Sequence, residues 1–480
     1  MTLKRMIDAD KICANLLFLR VPSGRCVRFS SLSVPARRTL FSSNQKVHMQ
    51  IQSALERMGR QIEHRLTGAL PEAVRHNMFI ELWVSIAYGA FFAASISFIP
   101  VVMRRLGASP DMLAIYTSQQ FLGSALASLS IVVMRRRRTM NVVVVCWLFG
   151  RAMLLFWAFV TQTSWMLLLS AIFWLLEAFP SPGYTRILMK IYPPEARGKI
   201  MGLVRLGRVG AILLVTPLAG WALDHWGYQI LFPIAGMLGI LSALLFRRLQ
   251  VDEGHLPARQ TKALRELIGI PRSDPRFARF LLSFSVYGAG TLLSWTLYPL
   301  VQVDRLHLSY SQIGLLGVAQ SFMWLLGFVY WGRQVDKRGG LWVLRANTVI
   351  NLAMPLTYFF ATSPWMLLPA FVAGGIVMAG WDMGAITATI QLADKERVTE
   401  YAAVQSTVVG LRGMIMPFVA AGLLHLGVPI NGIFLISVVL IVIAWYLFGT
   451  VAAPGLSPEE ATEQQRLHYQ WPLRWRFPRM

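Results

Sequence analysis

Three ionisable side chains sit in surroundings that leave them little water: Arg151 in "WLFGRAMLLF", Glu177 in "FWLLEAFP" and Asp382 in "MAGWDMGA". A carboxylate in low dielectric is either held by a cation or neutral, and it can take up and release a proton. Arg151 lies about 11 residues into its apolar run and Glu177 about 13 from the equivalent end of the next, so their depths differ by only ~3 Å at 1.5 Å per residue. They are placed to form a salt bridge. That bridge either fixes helix packing or leaves Glu177 facing a cavity as a proton acceptor. Asp382 has no base near it on its own run. Arg412 on the following run is the candidate partner, and Asp382 is the leading candidate for proton coupling or substrate contact, set against a packing hydrogen bond made by a neutral acid. A fourth acid, Asp336, stands in "GRQVDKRGGLW" between Gly332 and Trp342, among Arg333, Lys337 and Arg338. About 200 residues earlier the matching place reads "VVMRRRRTMNV", with bases only.

Other chemistry is sparse. Tyr88, Tyr287, Trp295 and Trp381 could stack on an aromatic solute, with ordinary packing the plainer role. Arg186 and Lys190 reach toward lipid headgroups, and Arg186 could instead draw an anionic solute. Glu81 reads as interfacial. The three cysteines, Cys13, Cys26 and Cys146, show neither metal spacing nor a disulfide framework. The eight histidines are scattered, and no clustered His, Cys or carboxylate set shares one depth. No Gly-rich phosphate loop with its Lys appears. Neither an enzyme nor a cofactor or metal is expected.

The elements that must hold these charges are long apolar runs. The chain has 480 residues, 55% of them hydrophobic and only 14% charged, against roughly 25% charged in an ordinary soluble domain. Its mean hydropathy is +0.51. Twelve runs, each about the ~20 residues a helix needs to cross hydrocarbon, can be drawn near 78–103, 111–134, 140–162, 165–190, 198–223, 228–248, 278–302, 310–332, 341–362, 366–391, 399–424 and 430–450. The connections alternate. One set is basic, as at Arg135–Arg138, Arg197 and Lys199, Lys337 and Arg338, Lys395 and Arg397; the other is short and mostly uncharged. The positive-inside rule puts the basic set and both termini in the cytoplasm, with Arg104, Arg105 and Arg305 as exceptions on the outside. The net charge of +23 therefore reads as topology and contact with anionic lipid, not nucleic-acid binding.

Six segments follow: a basic extension over 1–48, an amphipathic cytoplasmic segment over 49–77, six spans in 78–250, a cytoplasmic linker over 251–276 with a short helix near Lys262–Ile268, six spans in 277–450, and a tail over 451–480. The Ser-rich, basic 1–48 resembles a transit peptide in composition, though Asp8 and Asp10 argue against it; an upstream start, with Met49 as the functional beginning, is the simpler alternative.

A single offset of 199 or 200 residues aligns the two sets of six. Tyr88-Gly89-Ala90 meets Tyr287-Gly288-Ala289, Pro100 meets Pro299, Gln120 meets Gln320, and Trp165-Met166-Leu167-Leu168 meets Trp365-Met366-Leu367-Leu368. Gly210, Pro217 and Gly227 meet Gly410, Pro417 and Gly427. One offset sustained along the chain marks two homologous halves.

With this repeat, and with Gly332, Asp336, Lys337, Arg338 and Gly339 at the end of the eighth run, the sequence resembles the major facilitator superfamily of secondary transporters. The resemblance covers about 78–450. It implies an all-α polytopic membrane protein of twelve transmembrane helices in two pseudo-symmetric six-helix bundles about a central cavity. Spans 1, 4, 7 and 10 would line the cavity, 2, 5, 8 and 11 would form the bundle interface, and 3, 6, 9 and 12 would lie outside. It further implies that Asp336 pairs with bases on span 5 and closes the cytoplasmic side when the cavity faces out. Arg205 and Arg208, three apart on one helical face, are those bases. At the 200-residue offset they fall on Gln405 and Val408, and Asp336 falls on Arg136. Both members of the mirror pair are missing together, as expected of a real contact, since a lone charge at an interface is costly. The gate is then latched by one charge pair instead of two. "TPLAGW" on span 5 shares Pro217 and Gly220 with antiporter-type members but has Thr216 and Trp221 where they differ.

The expectation is a monomeric transporter in the plasma (inner) membrane that moves a small solute by alternating access, driven by a proton gradient. The alternative is a non-transporting membrane receptor or regulator on the same fold.

Overall fold

The computed structural model describes residues 70–125, 130, 133–134, 136–252, 264–393 and 397–451. The expected N-terminal extension, nearly all of the amphipathic segment, half of the linker and nearly all of the C-terminal tail lie outside these. The described residues contain helices and turns with no strand. Ten helices are long and apolar enough to cross a membrane. They are α1 (Glu72–Arg105), α3 (Thr139–Ala158), α4 (Thr163–Ile191), α5 (Pro194–Trp226), α6 (Tyr228–Phe246), α7 (Pro275–Arg305), α8 (Tyr310–Arg338), α10 (Pro364–Leu392), α11 (Val398–His425) and α12 (Ile430–Gly449). Two further helices stand where spans 2 and 9 were expected: α2, with Pro110–Ala125 described, and α9, in two pieces, Gly340–Asn351 and Ala353–Phe360. The set is consistent with twelve. The linker carries a short helix, Leu264–Ser273, a few residues later than its pattern suggested, and Asp274 then caps α7 by accepting from the Arg276 and Phe277 backbone N–H groups.

The repeat is visible in the packing. In the first half α1 packs on α5 and α6, α2 on α4, and α3 on α4 and α6. The second half repeats every one of these: α7 on α11 and α12, α8 on α10, and α9 on α10 and α12. Between halves, α5 meets α8 and α2 meets α11, the interface assignment the resemblance implied.

Breaks in the helices follow their prolines. Pro355 has no N–H to give the Asn351 carbonyl, and α9 divides there, at Leu352. In α1 a π-helical turn, Phe92–Ile96, precedes Pro100; in α7 a similar turn, Val301–Arg305, follows Pro299. Small residues let helices meet backbone to backbone. A Cβ on Gly375 of α10 would lie 2.1 Å from the Gln320 carbonyl oxygen of α8. Gly375→Ala is therefore expected to force α8 and α10 apart and cost about 1–3 kcal/mol, read as a lower melting temperature of the purified protein.

Candidate functional site

A cavity of about 380 Å³ lies between the halves. Its wall includes Phe92 of α1, Gln120 of α2, Trp174 of α4 and Thr216 of α5 on one side, and Trp295 of α7, Gln320 and Trp324 of α8 and Met378 of α10 on the other. Asn351, Met354 and Tyr358 of α9 also line it. Span 9 is thus not wholly outside; its break at Leu352 turns the second piece inward. Of the residues singled out in the sequence, Trp295 is in this wall. Asp382, Glu177, Arg151, Arg186, Tyr88, Tyr287 and Trp381 are not among its lining residues. The physical reason is axial position or helix face: Asp382 is one turn beyond Met378 toward the basic connections, and Trp381 is occupied in a stack on Phe284 (4.5 Å) and Tyr287 (5.2 Å).

The side of the molecule away from the basic connections is closed. Asp224, at the end of α5, accepts from the Tyr310 and Ser311 backbone N–H groups (3.0 and 2.8 Å) and from the Ser311 hydroxyl (2.6 Å) at the start of α8. Arg104 pairs with Asp304 at 2.7 Å, its own repeat partner 200 residues on. Arg105 lies 3.7 Å over the Tyr310 ring and donates to the Leu308 carbonyl. His425, at the end of α11, meets Asp111 of α2 at 2.9 Å. Glycines tighten the seam: Cβ atoms on Gly220 and Gly314 would lie 2.4 Å from the Tyr310 carbonyl oxygen and 2.9 Å from that of Thr216. Pro217 and Gly220, noted in "TPLAGW", thus belong to this contact.

Toward the basic side the described residues of the two halves show no such bonds. Nothing lies within 4 Å of a Cβ on Gly202 or Gly210, and one on Gly332 would meet only Met383 of its own bundle. Asp336 is exposed and makes no salt bridge to any of the described residues. Lys337 is exposed, and Arg338 lies 4.3 Å over the Trp342 ring. Gly339 takes φ +80°, the left-handed turn for which glycine suits that place. Arg208 lies 4.8 Å over the Tyr88 ring. Arg412 does not pair with Asp382. Its side chain, from α11, packs against α7, where a Cβ on Gly288 would fall 1.8 Å from its guanidinium carbon, and it donates to the Phe284 carbonyl. Glu81 is not interfacial: it is 1% exposed and accepts from Tyr184 (2.8 Å) and Tyr192 (2.5 Å), because the end of α4 folds over it. Burial first, and then Glu81 beside it, holds the Tyr192 hydroxyl well above the ordinary tyrosine range. Arg186 donates to Thr139 at the start of α3, and Lys190 to the Asp252 carbonyl.

Arg151 and Glu177 do form their pair, through two hydrogen bonds of 3.0 and 2.9 Å. Arg151 also reaches Ser242 and the Gly239 carbonyl of α6, and it lies over the rings of Tyr88 and Trp147 at 4.8 and 4.7 Å. One guanidinium thus joins α1, α3, α4 and α6.

The far-side closure escaped the sequence reading. Its signal was present in Arg104, Arg105 and Arg305, the bases that broke the positive-inside pattern. Each has a local partner that explains its position; Arg305 donates to Asn431 and to the Tyr358 carbonyl.

Comparison with known proteins agrees with this architecture. The model of the Major Facilitator Superfamily matches residues 82–304 and again 277–478. The probable galactarate/D-glucarate transporter GarP of Escherichia coli K12 is 24% identical over 252 residues, which are 44% of this chain and 56% of that one. The match thus spans about half of that relative's length. The uncharacterised MFS-type transporter YhcA of Bacillus subtilis 168 is 35% identical over 69 residues, 14% of this chain and 13% of that one. Among solved structures, the nucleoside transporter NupG superposes with a TM-score of 0.60 at 13% identity, covering 78% of this chain and 98% of that one. An inward-facing, unoccupied bacterial homologue of the human lysosomal transporter Spinster gives 0.56 at 15% identity, covering 85% and 100%.

Proposed function

This chain belongs to the major facilitator superfamily, and from that premise we propose that it carries a small solute across a membrane by alternating access, coupled to protons. The observation that carries the reading is the asymmetry of closure. Cross-bundle bonds join α5 to α8 and α2 to α11 on the far side, whereas Asp336 on the basic side is exposed and has no ion pair among the described residues. With the basic side taken as cytoplasmic, this is the state open to the cytoplasm. When the bundles rock the other way, Asp336 reaches Arg205 and Arg208, and the far-side bonds break. The latch and the far-side bonds are then alternatives, as a two-state carrier requires.

Asp382 fits the coupling role. It lies on α10, one turn from the cavity-lining Met378, in the bundle opposite Arg205 and Arg208, the cations that the latch would engage. Proton binding at Asp382 and closure of the cytoplasmic mouth would then be linked through those two cations. Glu177, held by Arg151, is the second acid in the scheme.

The test is flux in proteoliposomes once a solute is in hand, with the charges exchanged. Asp336→Asn and Arg205→Ala are each expected to slow transport by about tenfold or more, and the swap Asp336→Arg with Arg205→Asp to restore part of it. Unchanged flux in both single variants would end the latch, and flux indifferent to an imposed pH gradient would end the coupling.

A further inference from the structure

We infer that the solute held in the central cavity is uncharged and carries a flat ring with a hydrogen-bonding edge. This deepens the transport reading above and rests on it. In a protein with 46 basic and 23 acidic residues, the lining of this cavity contains no Asp, Glu, Lys, Arg or His. A carboxylate or ammonium brought there would lose its hydration and gain no counter-charge, which is costly. Two cations touch lining residues from behind: Arg208 lies 5.6 Å over the Phe92 ring, and Arg305 donates to the Tyr358 backbone carbonyl and to Asn431.

What the wall offers instead is aromatic surface and neutral polar groups. Trp174, Trp295, Trp324, Tyr298 and Tyr358 contribute rings from four different helices. Tyr298 and Tyr358 are stacked face to face at 3.9 Å, so they form a rigid aromatic corner of the wall and leave Trp174, Trp295 and Trp324 as its flat surfaces. Flat apolar walls favour a flat ligand. The polar groups are poised and partly unused. The indole N–H of Trp324 and the side-chain oxygen of Asn351 are buried with no hydrogen-bond partner, while the Trp174 indole lies beside the Tyr116 hydroxyl, another lining group. A donor and an acceptor on cavity-lining residues are thus orphaned, a condition that native structures seldom tolerate without a ligand or water to relieve it. Gln320 has only a weak contact to the Met378 sulfur, at 3.8 Å, so its amide is available too. By contrast, Gln302 is already engaged with the Tyr358 hydroxyl at 2.6 Å.

The repeat adds a reason for the placement. Gln120 and Gln320 occupy matching positions of the two halves, and both line the cavity. A solute with hydrogen-bonding groups on opposite edges could engage both amides, and so bring the bundles together about itself. A charged solute could bond these amides but would find no opposite charge in the lining on either side.

The experiment is calorimetric titration of the purified full chain with neutral ring-bearing probes (uridine, adenosine and nicotinamide), with galactitol as a neutral probe lacking a ring, with D-glucarate as a dianion and with tyramine as a cation. At least one ring-bearing neutral probe is expected to bind, and the charged probes and galactitol are not. Trp324→Phe keeps the ring and removes the N–H; it and Gln320→Leu are each expected to weaken that binding by about tenfold. The inference is overturned if no neutral ring probe binds, if D-glucarate or tyramine binds in its place, if galactitol binds as well, or if affinity is unchanged in both variants. A separate measurement keeps the transport reading distinct: cysteines introduced by Asp224→Cys and Ser311→Cys should cross-link when the far side is closed and escape cross-linking when it opens. A far side that never opens would end alternating access while leaving the binding result intact.

Discussion

Arg151→Ala is expected to destabilise the first bundle by about 3–5 kcal/mol, seen as a fall in melting temperature of roughly 5 °C or more. The argument starts from burial. Arg151 is 2% exposed and Glu177 13%, so removing the guanidinium leaves a carboxylate with little water and no cation. It also empties the centre of a contact made by four helices: the bonds to Ser242 and Gly239 go, and so does the cation over Tyr88 and Trp147. The neighbouring glycine cannot compensate, because Gly239 is already tight against Phe91 and against the Arg151 Cβ, at 2.8 and 3.0 Å from where its own Cβ would be. The double variant Arg151→Met with Glu177→Met separates two roles. Replacing both charges by apolar groups of similar length should recover most of the lost stability. If the pair only holds helices together, the double variant should also transport. If Glu177 carries a proton, the variant should fold, bind solute and lose its dependence on the pH gradient. A single Arg151→Ala variant as stable as the parent would show that the pair contributes nothing.

Much of the architecture could be read from the chain because a membrane simplifies the problem. Backbone polar groups in hydrocarbon must be satisfied within the segment, so a long apolar run becomes a helix. The 200-residue offset then fixed the pairing of halves, and the structure repeats each helix contact of one half in the other. Residues such as Gly220, Gly314 and Gly375 show what lay beyond reach. Each is simply a glycine in an apolar run, and only the fold reveals which backbone atom presses against it.

The charged residues divide in the same way. Arg151 and Glu177 could be paired from sequence because they lie on consecutive spans joined by a short hairpin, where depth alone nearly decides contact. Asp382 and Arg412 also lie on consecutive spans, yet they do not pair. There the outcome depends on rotation about the helix axis, and Arg412 turns toward Gly288 and the Phe284 carbonyl. The cavity was the least legible feature. Its wall draws on eight helices, and its Gln, Asn, Trp and Tyr come from five of them, residue types that look like ordinary packing in any one span and acquire meaning only when the spans converge.

Asp224→Ala is expected to shift the equilibrium between the two states of the carrier while hardly altering its stability. The carboxylate is exposed, so its net worth is limited by screening. Yet it accepts three hydrogen bonds from the first turn of α8, where the free N–H groups and the helix dipole both favour an anion. All three cross between bundles. In the unfolded chain and in the opposite state these donors can bond to water, so the bonds favour only the state closed on the far side. A contribution of about 1–2 kcal/mol then corresponds to a roughly 5–30-fold change in the ratio of states. The pair Arg104–Asp304 supports the same closure, but Asp304 is 42% exposed on its side chain and meets a flexible arginine instead of fixed backbone donors. Asp304→Ala should therefore shift the equilibrium less. Spin labels at Gln162→Cys and Thr362→Cys, at matching far-side positions of the two halves, would read both. The parent should give one short distance, and Asp224→Ala should add a longer one at the expense of the first. An unaltered distribution in Asp224→Ala would mean that closure is held by packing at Gly220 and Gly314 alone, with the charges incidental to it.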